Sequence, residues 1–420
     1  MEMADDLKGY KCPNCGAPLV FKGDVQKMVC EFCDSSFEMS EFAGDAKHKG
    51  DVQEGEWQQE DKGHINEEGM LEYVCKSCGA ALITQQGTGA TECPYCGNPV
   101  VISNTFSGMD LPDGVLPFAV DKKSAKDALL RFYSDKKLLP DNFKDNNHLD
   151  NISGIYVPFW LFDCKADGNG FFKATKERTV TRNGKEQKEI QEYRVLRSGT
   201  MDFKNVPADG SKEMDDSYMD SLEPFDYSKM TDYNPAYLSG YLANKYDEDK
   251  NDVRERVDSR MRATVETELR KTVTGYTSVN TQACDVAISD ARIRYCMLPV
   301  WMLATKYNNQ VFSFAMNGQT GAVTGNLPID KGKCTKLFWT TTLVCALIAS
   351  ILVCFIDELF STTEVIALGI AVMIGFIRLS SEKSKMTAHK GSEASRYLVR
   401  DSLKITNRQD KHVNTRYEDK

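Results

Sequence analysis

Cys12-Pro-Asn-Cys15-Gly-Ala-Pro-Leu19 followed by Cys30-Glu-Phe-Cys33, and Cys75-Lys-Ser-Cys78-Gly-Ala-Ala-Leu82 followed by Cys93-Pro-Tyr-Cys96, are two copies of one pattern. Fourteen residues separate the two cysteine pairs in each copy, and one offset of 63 maps the first block onto the second. Two cysteines two residues apart can turn both sulfurs toward one ion from a tight turn. Two such turns complete a tetrahedron of four thiolates with Zn–S near ~2.3 Å. Gly16, Gly79 and Gly97 follow a knuckle, where the turn is expected to need a positive φ. The spacing predicts one zinc per block, held by Cys12, Cys15, Cys30 and Cys33 and by Cys75, Cys78, Cys93 and Cys96. It is about one residue tighter than the usual four-cysteine pattern.

Four thiolates fill the zinc coordination shell and leave no open position for chemistry, so both ions are expected to be structural. Modules this small need the metal to fold. Disulfides are disfavoured in a reducing compartment, and redox pairs usually come singly. An iron–sulfur site uses the same donors, but ribbon spacing favours zinc.

Outward from these blocks, the composition divides the chain. Residues 1–41 and 72–102 read as two small β zinc ribbons, joined by a polar, acidic linker at 42–71. Residues 103–330 read as a cytoplasmic α+β domain rich in antiparallel strands. Residues 331–380 read as a transmembrane helical hairpin, and 381–420 as a basic cytoplasmic tail. The fold class expected is therefore multidomain. The linker is expected to let the first ribbon swing relative to the second.

Within the α+β segment, Tyr156-Val-Pro158-Phe-Trp160-Leu-Phe162 repeats as Met297-Leu-Pro299-Val-Trp301-Met-Leu303. Both stretches are apolar on both pleat faces, as a buried strand would be. Their prolines point to an edge strand or a strand start. Phe171 to Phe203 reads as strands around a hairpin turn at Asn183-Gly184. Asp121 is expected to cap a helix through Tyr133. Asp249 to Val273 reads as a long helix with Val253, Val257, Met261, Val265 and Leu269 along one stripe. Tyr307 to Pro328 reads as a meander turning at Asn317-Gly318.

Leu337 to Ile356 is twenty residues without a charge, about 30 Å of helix and enough to cross a bilayer. Lys331, Lys333 and Lys336 precede it, while Asp357 and Glu358 follow it. That bias places the N-terminal domains in the cytoplasm. Val365 to Ile377, extended back through Leu359 and Phe360, reads as the returning helix, with Arg378, Lys383, Lys385 and Lys390 after it. Both termini are then cytoplasmic, in a multi-pass protein of the cell membrane. From Arg378 onward there are eleven Lys/Arg and six Asp/Glu, which reads either as attraction to anionic headgroups or as a solvated tail.

Net charge of −9 on 420 residues counts against a chain whose main task is gripping nucleic acid. Neither cysteine block offers a basic face. Phe21, Phe32, Phe37 and Tyr95 can stack bases, but packing inside a small ribbon is the commoner use. A mean hydropathy of −0.43 excludes a polytopic transporter. No HExxH, phosphate-binding loop or GxSxG occurs, so no enzyme is expected and no catalytic residue is assigned. Cys164, Cys284, Cys296, Cys334, Cys345 and Cys354 lack paired spacing and read as small apolar residues.

The stretches KCPNCGAPLVF (11–21), YVCKSCGAALIT (73–84), ECPYCGNPVVI (92–102), GIYVPFWLFD (154–163) and FAMNGQTGAVTGNLP (314–328) together carry a resemblance. Their combination and order resemble a bacterial family of membrane-anchored double-zinc-ribbon proteins. Such proteins are similar to TFIIB-type ribbons and to the primosomal helicase in the ribbon cysteines alone. The resemblance implies an adaptor at the cytoplasmic membrane face, encoded beside phage-shock-A-like and SPFH-domain proteins. It implies recruitment of such scaffolds during envelope stress. The competing class is a membrane-tethered nucleic-acid or transcription factor.

Overall fold

The computed structural model describes residues 10–42, 70–75, 77–85, 93–96, 98, 101–105, 110–145, 149–182, 185–212, 216–356, 362–386 and 394–419. The expected turn at Asn183-Gly184, the acidic linker, Gly97, Asp357, Glu358, Leu359 and Phe360, and the side chains of Cys354 and Glu364 lie outside the described residues.

In chain order the strands begin with β1 (Leu19–Lys22), β2 (Lys27–Cys30) and β3 (Ser36–Glu38), which form a three-stranded sheet. Next come β4 (Met70–Val74), β5 (Ala81–Gln85), β6 (Val101–Thr105) and β7 (Gly114–Val115). Helices α1 (Lys122–Ser134) and α2 (Asp141–Asp145) lead into the long strands β8 (Ser153–Arg182) and β9 (Lys185–Asp209). Helix α3 (Asp216–Leu222), β10 (Thr231–Asp232), β11 (Leu242–Asn244) and α4 (Arg254–Lys271) precede β12 (Ser278–Tyr307), β13 (Gln310–Asn317) and β14 (Val323–Gly325). The chain closes with α5 (Lys331–Ile356), α6 (Thr362–Ser384) and β15 (Lys404–Asp419). Strands β4 to β15 build one twelve-stranded sheet.

The apolar repeat forms the centre of that sheet. Tyr156 pairs with Pro299, Val157 with Leu298 and Pro158 with Met297, so the two copies face each other antiparallel. Alternation sends Tyr156, Trp160 and Phe162 into one core and Ile155, Val157, Phe159 and Leu161 into the other. Each tryptophan N–H donates to a backbone carbonyl, Trp160 to Glu248 at 3.0 Å and Trp301 to Val120 at 2.9 Å.

The prolines do not lie at an edge or a strand start, contrary to expectation. Each sits where a strand changes its lateral partner. Beside Pro158, β8 passes from β11 (at Tyr156) to β9 (from Phe159). Beside Pro299, β12 passes from β7 (at Met297) to β13 (from Val300). A residue without an N–H costs nothing in a ladder at such a gap.

Asp121 caps α1 by accepting from the Ser124 N–H at 2.9 Å. The helix expected from Asp249 starts at Arg254, because Asp249 Oδ1 instead accepts from the N–H groups of Asn251 and Asp252 in a turn. The predicted stripe is buried along its whole length: Val253, Val257, Met261, Val265 and Leu269 are each at most 6 % exposed. It lies against β8 and β9 where these are cut back to glycine. A Cβ on Gly168 would come within 2.4 Å of Val265 and 3.1 Å of Leu269. Gly168→Ala is expected to destabilise the chain by about 1–3 kcal/mol through overpacking, measurable as a lowered denaturant midpoint.

Two features depart from the expected domain plan. The first unit packs on the body: Leu19, Phe21 and Met28 are buried in one core with residues of the main sheet. The Phe21 N–H donates to Ser239 O at 3.1 Å, the Ser239 hydroxyl donates to Leu19 O, and Gln26 donates to Phe118 O at 2.7 Å. The second unit extends the sheet itself, β5 pairing with β11 at Ile83–Ala243. Its strand β6 runs across the boundary expected after residue 102.

The C-terminal segment, read from its charge as either a headgroup-attracted or a solvated basic tail, is also sheet. β15 pairs with β9 from Lys404–Thr200 to Asp419–Gln187. Between these parts, α5 and α6 are two helices long and apolar enough to cross a membrane. Their apolar side chains are largely exposed, including Leu347 at 64 % and Val365 at 70 %. Their base is fastened to the body. The Leu327 N–H donates to Met386 O at 3.1 Å, and Lys333 reaches Asp141 at 2.6 Å and Leu139 O at 2.7 Å.

Candidate metal centres

Each predicted quartet comes together. In both groups, Cys12, Cys15, Cys30 and Cys33 and Cys75, Cys78, Cys93 and Cys96, the sulfurs lie within 4.8 Å of one another. The first knuckle precedes β1 and the second follows β2, so the Leu19–Cys30 register brings their tips side by side. Every knuckle uses the same turn. Its first cysteine N–H donates five residues on, from Cys12 to Ala17 O, Cys30 to Ser35 O, Cys75 to Ala80 O and Cys93 to Asn98 O, all at 2.7–2.9 Å. Gly16 and Gly79 take the predicted positive φ, 75° and 89°. Nothing lies within 4 Å of where their Cβ would be, so backbone conformation and not space selects glycine. Asp34 fills the equivalent place in the second knuckle at φ 57°, a position that its identity did not announce.

The sulfur separations test the fit. Cys12–Cys33 is 3.6 Å, Cys15–Cys30 3.4 Å, Cys75–Cys96 3.5 Å and Cys78–Cys93 3.7 Å. A tetrahedron with ~2.3 Å arms has edges of ~3.8 Å. Four thiols this close suit a shared cation, and the donor set fits a metal ion at both sites. The Ser35 hydroxyl, 3.2 Å from Cys33 Sγ, and the Ser35 N–H draw the Cys33 thiol down to about 6. The Cys15 thiol beside Cys30 and Cys33 is pushed the other way, up to about 12, and burial does the same to Cys93, so metal binding at these sites must displace protons. Within each group the first cysteine of each knuckle is buried, while Cys15, Cys33 and Cys78 are exposed.

The other described cysteines join neither group. Cys164 is buried against Met261 Sδ at 3.4 Å, and burial pushes its thiol up to about 12. Of the aromatic residues near the knuckles, Phe21 and Tyr95 are core, Phe37 is partly buried and Phe32 is 79 % exposed. Lys22 and Lys27 of the first unit pair with Glu31 at 3.1 Å and Glu38 at 2.6 Å, which neutralises these two lysines.

A buried ionic cluster escaped the sequence reading. Arg260 of α4, 5 % exposed, donates to Glu223 at 2.7 Å, to Pro207 O at 2.7 Å and to Asp220 at 3.4 Å. One turn earlier, Arg256 binds the fully buried Asp209 at 2.7 Å and pairs with Asp216. Arg256 and Arg260, four residues apart beside the apolar stripe, were the available signal. Their acids come from strand and helix ends some 40 residues away. Burial pushes the Asp209 and Glu223 carboxyls up to about 7 against the opposing pull of these arginines.

The chain is similar over most of its length to a curated bacterial protein. A Bacillus subtilis (strain 168) protein bearing the name "Uncharacterized protein YdjG" is 31 % identical over 329 residues, spanning 78 % of this chain and 92 % of the relative. No family model matches the chain, and no solved structure matches it.

Proposed function

This chain belongs to the YdjG family, and from that premise we propose that it is a zinc-ribbon adaptor anchored in the cell membrane and facing the cytoplasm. Its two quartets hold one structural Zn²⁺ each; the soft, closed tetra-thiolate donor set supports zinc at both. The metals stiffen the two knuckle units for contact with protein partners and take no part in chemistry.

The observation that carries the membrane reading is the return of β15 to the sheet after α6. Strands before and after the helix pair hydrogen-bond to each other, so both flanks belong on one side of any membrane the pair enters. A hairpin satisfies this and a single crossing does not. Lysines at 331, 333 and 336 and cations from Arg378 onward support the cytoplasmic side.

By resemblance, the partners are scaffolds of the phage-shock-A and SPFH type.

In-cell cross-linking, membrane solubilisation and mass spectrometry of what stays with the tagged chain test the reading. Recovery of such scaffolds, lost on Cys75→Ser, is the expected result. Recovery of DNA with replication or transcription proteins would instead establish a tethered nucleic-acid-binding protein.

A further inference from the structure

The long strands end in two exposed edges. The ribbon runs β15–β9–β8–β12, and every neighbouring pair in it is antiparallel. Among the described residues, no strand pairs with the outer side of β15, nor with the outer side of β12 from Ser278 to Arg292. Residues on both stretches are mostly exposed. Edges of this length are templates for further strands.

From these edges we propose that the chain associates head to tail with copies of itself, the β15 edge of one copy pairing antiparallel with the β12 edge of the next. Three observations converge on a second copy as the occupant. The first is level. Residues Asp167–Ala174 of β8 are flanked through β9 by Lys404–His412 of β15, and directly by Val279–Ala287 of β12. The two edges therefore lie along the same length of ribbon. The second is direction. β15 runs with β8 and opposite to β12, so a neighbour placed beside β15 continues the alternation without turning the sheet over.

The third is charge. Residues 404–412 carry Lys404, Arg408 and Lys411 against Asp410, and Asp410 is held inward by Arg197 at 2.5 Å and Tyr276 at 2.7 Å. Residues 278–292 carry Asp285 and Asp290, with Arg292 the one cation, at the far end beyond the stretch level with Lys404–His412. Charges and bulges ordinarily blunt an edge. Here the charge repels each edge from its own kind and attracts the other kind. That selects the heterologous contact over a two-fold one, and such contacts build rings or open chains. The assembly would multiply the knuckle units presented to one partner.

The test uses the full chain in its membranes, with isotopically heavy and light copies co-expressed. A photo-crosslinking residue replaces Gln409. The expected product joins position 409 of one copy to residues 278–291 of the other, with one heavy and one light peptide. Charge reversal by Lys404→Glu, Arg408→Glu and Lys411→Glu is expected to cut the yield about tenfold or more, as is Asp285→Lys with Asp290→Lys. Both sets in one chain are expected to restore it, which a folding defect would not do. Links between two β15 strands, links confined within one chain, absence of any link, or failure of the combined reversal would each overturn the proposal.

Discussion

Serine in place of Cys75 is expected to lower bound zinc from two atoms per chain to one and to loosen the second knuckle unit. Cys75 is fully buried, and its N–H closes the turn onto Ala80 O. Serine offers no thiolate, and three remaining sulfurs leave the ion open to water and to loss. Structural zinc in small modules carries about 10–16 kcal/mol of apparent binding free energy, so the unit has little to hold it once the ion leaves. The loss should spread inward, because Cys75, Leu82, Cys93 and Tyr95 share a core with Ile155, Val157 and Leu298. Metal analysis of the purified full chain gives the stoichiometry, and hydrogen exchange over residues 70–85 and 242–244 gives the spread. Cys164→Ser is the control: that thiol lies outside both quartets and should leave zinc at two. Two zinc atoms retained by the Cys75 variant would remove this residue from the ligand set.

Arg260→Met should cost about 3–5 kcal/mol of unfolding free energy at pH 8, because it strands buried carboxylates without their cation. The loss should shrink as pH falls toward 6. The sign follows from Glu223, whose carboxyl is raised by burial to about 7, above its ordinary value of 4.5. The folded chain therefore binds this proton more tightly than the unfolded one. Stability from this group is complete below the ordinary carboxylate range and is lost as pH rises toward about 7. Asp209 behaves alike, raised by burial to about 7. Without Arg260 the Glu223 value rises further, so protonation relieves the variant most. Denaturant unfolding at pH 6 and pH 8 measures the difference. Equal losses at both values would mean that the carboxylates do not govern the cost.

Features encoded by local spacing were legible before the fold was known. The knuckle cysteines carry their geometry in two-residue gaps, Asp121 carries its cap in a neighbouring N–H, and the α4 stripe repeats every four residues. Charge-free runs marked α5 and α6. What stayed hidden depends on partners far along the chain. Nothing near Phe21 says that it will meet Tyr237, their rings 4.9 Å apart. Nothing in residues 404–419, polar and rich in charge, says that they pair with β9, because an edge strand needs no apolar face to hold its ladder. Pro158 and Pro299 misled for the same reason: a proline marks a missing donor, and only topology says where a ladder can spare one. The arginine cluster hid behind residues that look solvent-facing one at a time.

In the proposed topology, body, knuckles and C-terminal strand lie together on the cytoplasmic side of a membrane hairpin. The most direct measurement is protease protection of a full chain tagged separately at the N-terminus and after residue 420. The account predicts that both tags are protected in intact spheroplasts and that both are cleaved in inverted vesicles. A C-terminal tag cleaved from outside while the N-terminal tag stays protected would contradict it, since β15 could not then pair with β9.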